Sequence, residues 1–220
     1  MNPVQNSIES LDWMTLMLFI SLVVLAFIKY LFGNKFLSFM ILPFNNKYIV
    51  LNSKKGRQLL NWFHILFTLF QLINFSLFAF LIQKTFWTET EPLNDQLFFL
   101  AIIGLLILFQ LIKTLLQFSK GFVFNTTGLI SDLLFHKTSY FNYSSLVMFV
   151  SNVVLIYILK DSKTIIYVAI ILIIFINAIG LINVLKNYQK AIIPHFFYFI
   201  LYLCTLEIAP LIIIGSYLKD

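Results

Sequence analysis

The sequence predicts an all-α integral membrane protein, a bundle of six transmembrane helices with short interfacial amphipathic helices on the cytoplasmic side. Three observations lead there. Sixty per cent of the 220 residues are hydrophobic and only 11% are charged, against roughly 45–50% and about 25% in soluble proteins. A chain of this length has no water-soluble core large enough to hide so much apolar surface, so the bilayer must be its main solvent. The apolar residues gather into runs long enough to cross a ~30 Å hydrocarbon core, which takes about 20 helical residues. Finally, the runs lack the alternation of a barrel strand, and in lipid the remaining way to satisfy the backbone within a segment is the α-helix.

Six runs qualify: Trp13–Phe32, Leu59–Ile82, Leu97–Phe118, Phe141–Leu159, Thr164–Leu185 and Ile193–Tyr217, forming a single transmembrane domain over residues 1–220. Met1 to Asp12 carries Glu9 and Asp12 but no Lys or Arg, unlike a signal peptide, so the first run is expected to be retained as a span. The fourth is the shortest and begins with Asn142, Tyr143, Ser144 and Ser145, which makes it the weakest. No repeat of solenoid period runs along the chain.

Orientation follows from the basic residues. Lys29, Lys35, Lys47, Lys54, Lys55 and Arg57 lie at or after the end of the first span, Lys113, Lys120 and Lys137 around the third connection, and Lys186 and Lys190 in the fifth. These eleven face one side, against four on the other (Lys84, Lys160, Lys163 and Lys219), where most of the acids also lie. The majority side is therefore assigned to the cytoplasm, and both termini to the periplasm.

Two cytoplasmic connections are too apolar for simple loops. Gly33 to Gln58 reads as an interfacial segment broken at Pro43, with Lys54, Lys55 and Arg57 touching lipid headgroups or a partner. In Ser119 to Tyr140, the spacing of Leu129, Ile130, Leu133 and Leu134 marks a short helix in the membrane plane or against the bundle. On the other side, Lys84 to Gln96 is an acidic loop anchored by Trp87, read as an ordinary solvated loop with contact to a partner as the alternative.

Within the spans, polar side chains recur at helical steps. Asn61, His64, Thr68, Gln71 and Asn74 share one face of the second span, Gln110, Lys113 and Gln117 mark the third, and Asn177, Gly180, Asn183 and Asn187 line the fifth. In the sixth, His195, Tyr198, Tyr202 and Thr205 lie on one side, with Glu207 nearby. Such a seam either glues helices together or lines a substrate or proton path. Its core is expected in Glu207, Asn74, Gln71, Asn177 and Tyr202. Glu207 falls near mid-depth, where an ionisable group needs a partner or stays protonated. Pro210 cannot donate to the carbonyl of Leu206, which leaves a backbone acceptor beside that acid.

No catalytic constellation, metal site or cofactor motif is present. His64, His136 and His195 are not spaced as ligands. Cys204 stands alone in an apolar span, as an inert packing residue. Ser53-Lys54-Lys55-Gly56 lacks the glycine spacing of a phosphate loop. The basic residues are scattered between apolar runs, which argues against a nucleic-acid partner.

From Phe197 to Leu211, through Tyr202-Leu203-Cys204, Leu206-Glu207 and Pro210, the chain resembles a family of small integral membrane proteins from Bacteroidota, described only as a domain of unknown function. Phe141, Asn142 and Tyr143 are similar as well, although family members often carry a proline within the fourth span and this chain has none. The resemblance implies an inner-membrane protein and no activity to carry over. The expected function is that of a non-enzymatic accessory or scaffold subunit of a larger cell-envelope complex, with protein export or secretion as one setting. Its partners would be membrane lipids and other inner-membrane subunits. The alternative is a small transporter or proton-coupled channel using Glu207.

Overall fold

The computed structural model describes residues 3–45, 48–49, 61–86, 95–123 and 127–192. Helices follow one another in the order α1 (Pro3–Leu31), α2 (Gly33–Met40), α3 (Trp62–Phe86), α4 (Asp95–Val123), α5 (Thr127–Val153) and α6 (Lys163–Ile192), and no strand occurs among the described residues. Among the described residues, five stretches are long and apolar enough to cross a membrane: Asp12–Leu31, Trp62–Phe86, Asp95–Ile112, Leu134–Ile158 and Lys163–Val184. They match the first five predicted spans to within a few residues at most ends. The helix of the third runs on to Val123, and the fourth begins seven residues earlier than predicted. The sixth predicted span, Ile193–Tyr217, lies outside the described residues.

The chain divides into two compact units, Met1–Gly180 and Leu181–Asp220. The described part of the second is the end of α6. In the first, α3 is the axis, packing against α1, α4 and α5. Its sequence explains why. Phe63, Phe67, Phe70, Asn74, Leu77 and Leu81 recur at steps of three and four and are all buried, as are His64, Gln71 and Phe78, which recur at steps of seven on the neighbouring stripe. A helix that is apolar on more than one face is a central one.

Two apolar clusters fill the first unit. In one, Trp13 lies 5.1 Å from the ring of Phe80 and 5.0 Å from that of Phe99, tying α1 to α3 and α4. In the other, Phe39 packs within 4.4 Å of Phe67 and 5.6 Å of Phe63 between ring centres, and within 5.3 Å of Tyr48. Each such ring pair adds roughly 0.5–1.5 kcal/mol beyond its buried area.

The segment after the first span begins as α2, which follows α1 with helical hydrogen bonds across the junction and buries Phe36 and Phe39 against Phe63 and Phe67 of α3. It stops at Met40, and Ile41 to Phe44, which include Pro43, form the turn. The short helix expected around Leu129–Leu134 is not separate. Those residues are the first turns of α5, continuous with the fourth span. At the far end of α5 the helix widens into a π turn over Val154–Ile158, where the Leu159 amide donates to the Val154 carbonyl at 2.9 Å. Between α3 and α4 the Lys84 ammonium and an Asp95 carboxylate oxygen approach to 3.9 Å, an exposed pair worth at most about 1 kcal/mol.

Candidate functional site

The polar side chains of α3 point into the bundle. His64, Gln71 and Asn74 are buried and Thr68 half-buried. At one end, the Tyr48 hydroxyl and His64 Nε2 lie 2.9 Å apart, in a hydrogen bond whose donor depends on the imidazole tautomer. Tyr48 precedes the second span, and burial pushes its phenol above the ordinary value of 10.0. His64 and His136 are buried, His64 with its ring 4.7 Å from that of Phe135. No three metal-ligating side chains converge among the described residues.

Further along, Thr68 Oγ1 donates to the His64 carbonyl at 2.8 Å and accepts from Asn142 Nδ2 at 3.5 Å. Asn74 Nδ2 donates to the Phe70 carbonyl at 2.8 Å, while Asn152 Nδ2 reaches across from α5 to the Asn74 carbonyl at 3.0 Å. From α6, Asn177 Nδ2 donates to Ser144 Oγ at 2.9 Å and to its own Ile173 carbonyl at 2.8 Å. Residue numbers rise together in the α3–α5 pairs and oppositely in the α5–α6 pairs. Along this seam α5 therefore runs parallel to α3, and α6 antiparallel to α5. Close approach of α6 depends on Gly180, where a Cβ would meet Cγ of Tyr140 at 2.5 Å.

Of the predicted site residues, Gln71 and Asn74 come together on α3, and Asn177 bonds to the facing helix. Glu207, Tyr202, Lys54, Lys55 and Arg57 lie outside the described residues. Sequence reasoning missed Asn142, Ser144 and Asn152 on α5, all fully buried. The signal was there: Asn142, Ser145 and Asn152 repeat at steps of three and seven, the same periodicity that marked α3.

The seam is unevenly satisfied. The carboxamide oxygens of Gln71, Asn74, Asn142 and Asn152 are buried and accept no hydrogen bond among the described residues. Each unmet buried acceptor costs about 1–3 kcal/mol. What the arrangement offers is thus a line of neutral acceptors inside a helical bundle, without a nucleophile, a paired acid or a metal-binding set among them.

Together these features define a class, a helical bundle with five candidate membrane-crossing helices around a polar seam. The sequence family described as Domain of unknown function (DUF4271) matches residues 14–218, and the chain belongs to that family. No curated protein and no solved structure matches the chain.

Proposed function

We propose that the chain is a non-enzymatic multi-pass protein of the bacterial inner membrane that serves as an accessory or scaffold subunit of a larger cell-envelope complex. Protein export or secretion is one setting for it. In this reading Ile193–Tyr217 is a sixth span, both termini are periplasmic, and α2 and the start of α5 lie at the cytoplasmic face. Lys54, Lys55 and Arg57 then meet headgroups or a partner.

The observation that supports a subunit role is the surface of α4. Only 6% of its span is buried, against 50% for α3. Leu97, Ala101, Gly104, Leu108 and Leu111 form one exposed stripe at steps of three and four. A Cβ at Gly104 would meet nothing within 4 Å, so no described residue fills that notch. Small residues between leucines let a second transmembrane helix approach closely, where lipid gains nothing from them.

The transport alternative draws on the unmet oxygens of Gln71 and Asn74, with Glu207 as the titrating acid. Mild-detergent purification with mass spectrometry of companions tests the subunit reading. The wild-type chain is expected to bring down stoichiometric membrane partners, and Gly104→Leu to lose them while still folding. Recovery of the wild-type chain alone, together with a pH-dependent flux in proteoliposomes that Glu207→Gln abolishes, would overturn it in favour of transport.

A further inference from the structure

The outer face of α1 does not stop with its span. Val23, Phe27 and Tyr30 recur along it at steps of four and three, and Leu37, Ile41 and Phe44 repeat those steps from two turns further on, through α2 and the turn beyond. All six are exposed, Tyr30 by 85% and Phe44 by 89%. The other side of α2 packs inward, with Phe36 and Phe39 against Phe67. At the same level Trp62 opens α3 and is 71% exposed, beside Phe63, whose ring lies 5.7 Å from that of Phe32. A lipid-facing stripe that runs out in exposed Tyr and Trp runs out at the headgroups, where those rings are enriched.

Two cations stand at this rim. Lys29 is exposed in the last turn of α1, and Lys35 is half-buried over the Phe32 ring, its ammonium 5.6 Å from the ring centre. Neither pairs with a carboxylate among the described residues, and from Trp13 to Gln83 the sequence holds no Asp or Glu. At the opposite end of the bundle, by contrast, Lys84 has Asp95 at 3.9 Å. Unpaired ammonium groups at the headgroup layer draw the anion which that layer supplies, at about 1 kcal/mol for each Lys. A phosphatidylcholine head brings its own cation beside its phosphate, so the lysines gain little from it. A head with net negative charge gives them the full attraction.

We propose that the α1–α2 rim is a binding surface for anionic phospholipids, their phosphates drawn to Lys29 and Lys35 and their upper acyl chains set against Tyr30, Leu37 and Trp62. The exposed stripe explains why the occupant is a lipid: a soluble anion would leave those apolar side chains uncovered. The proposal rests on the reading that α1 and α3 cross a bilayer, and it stands whether or not the chain is a subunit.

The test uses the full chain in phosphatidylcholine vesicles in which a minor fraction of the lipid carries brominated acyl chains, either as phosphatidylglycerol or as phosphatidylcholine. Bromine quenches tryptophan on contact, and the Trp62 signal is the difference between the wild-type chain and Trp62→Phe, a change at an exposed position. Brominated phosphatidylglycerol is expected to quench that signal as though enriched roughly fivefold over brominated phosphatidylcholine, the ratio for about 1 kcal/mol. Lys29→Gln combined with Lys35→Gln should bring the ratio close to unity while quenching by both lipids persists, and the corresponding pair of Arg substitutions should keep it. Equal quenching by the two lipids in the wild-type chain would overturn the proposal, and so would a preference that survives both Gln substitutions. Quenching by neither lipid would overturn the bilayer placement of this rim as well.

Discussion

A carboxamide both donates and accepts, and Asn74, Asn142 and Asn152 make only the donating half of their bonds to the described residues. The Tyr48–His64 pair is of another kind, with two neutral groups of adjacent segments bonded at 2.9 Å inside a shell of aromatic rings. Because burial raises the folded phenol above its unfolded value of 10.0, the stability tied to Tyr48 is fully present below pH 10.0 and is lost as pH rises beyond it. Thermal unfolding in detergent as a function of pH is expected to fall above that point in the wild-type chain. Tyr48→Phe should flatten this alkaline decline at a cost of about 0.5–1.5 kcal/mol for the lost hydrogen bond. An identical alkaline decline in both proteins would remove Tyr48 as its source. The sequence revealed the α3 half of this seam, because His64, Thr68, Gln71 and Asn74 interrupt a strongly apolar run at a helical period. The α5 half escaped notice for a physical reason. Asn142, Ser144 and Ser145 lower local hydropathy just where a span is expected to begin, so they read as a weak helix end rather than an inward face.

Among the helices, type and placement were legible and continuity was not. Length and hydropathy located the five candidate spans among the described residues, since the bilayer dictates both. They gave no warning that the helix of the fourth span extends back to Thr127, because an amphipathic turn and a helix beginning look alike in sequence. Asn177 and Gly180 were read as a stripe permitting close approach, and the geometry shows what that requires. Tyr140 of α5 occupies the volume of the missing side chain, with three of its atoms within 2.9 Å of a Cβ built at Gly180. Gly180→Ala is therefore expected to force α5 and α6 apart and to cost about 1–3 kcal/mol by overpacking, despite alanine's better helix propensity. Combining it with Tyr140→Leu should recover part of the loss, a coupling that a double-mutant cycle on thermal unfolding measures. Gly104→Ala is the internal control. With nothing within 4 Å of its Cβ, it should gain up to about 1 kcal/mol from propensity alone. A Gly180→Ala protein as stable as the Gly104→Ala protein would mean that the Tyr140 contact yields at no cost.

For the molecule as a whole, the direction of insertion decides which surfaces meet which compartment. Lys29 and Lys35 stand at the α1–α2 end of the bundle. The opposite ends of α1, α3, α4 and α6 carry Asp12, Lys84, Asp95 and Lys163. Basic residues outnumbering the one acid, Asp132, at one end and mixed charge at the other are what the positive-inside rule associates with the cytoplasm and the far side. Cysteine scanning tests this directly, since Cys204 is the chain's one cysteine and Cys204→Ser leaves a blank background. In cells whose outer membrane has been made permeable, a membrane-impermeant maleimide should label a cysteine placed at Glu91, and should label one at Ser53 only after the inner membrane is opened. The reverse pattern would invert the protein and move Lys54, Lys55 and Arg57 to the periplasm. A cysteine at Asp220 adds the span count to the same experiment, because each crossing switches sides. Labelling from outside at both Glu91 and Asp220 requires an even number of crossings between them, which Asp95–Ile112, Leu134–Ile158, Lys163–Val184 and a sixth span at Ile193–Tyr217 provide. If Glu91 is labelled and Asp220 protected, an odd number of crossings separates them, and a further cysteine at Lys160 locates the missing one. If it is Ile193–Tyr217, Glu207 lies outside a true span, and both the transport reading and the structural role expected of its carboxyl fall with it.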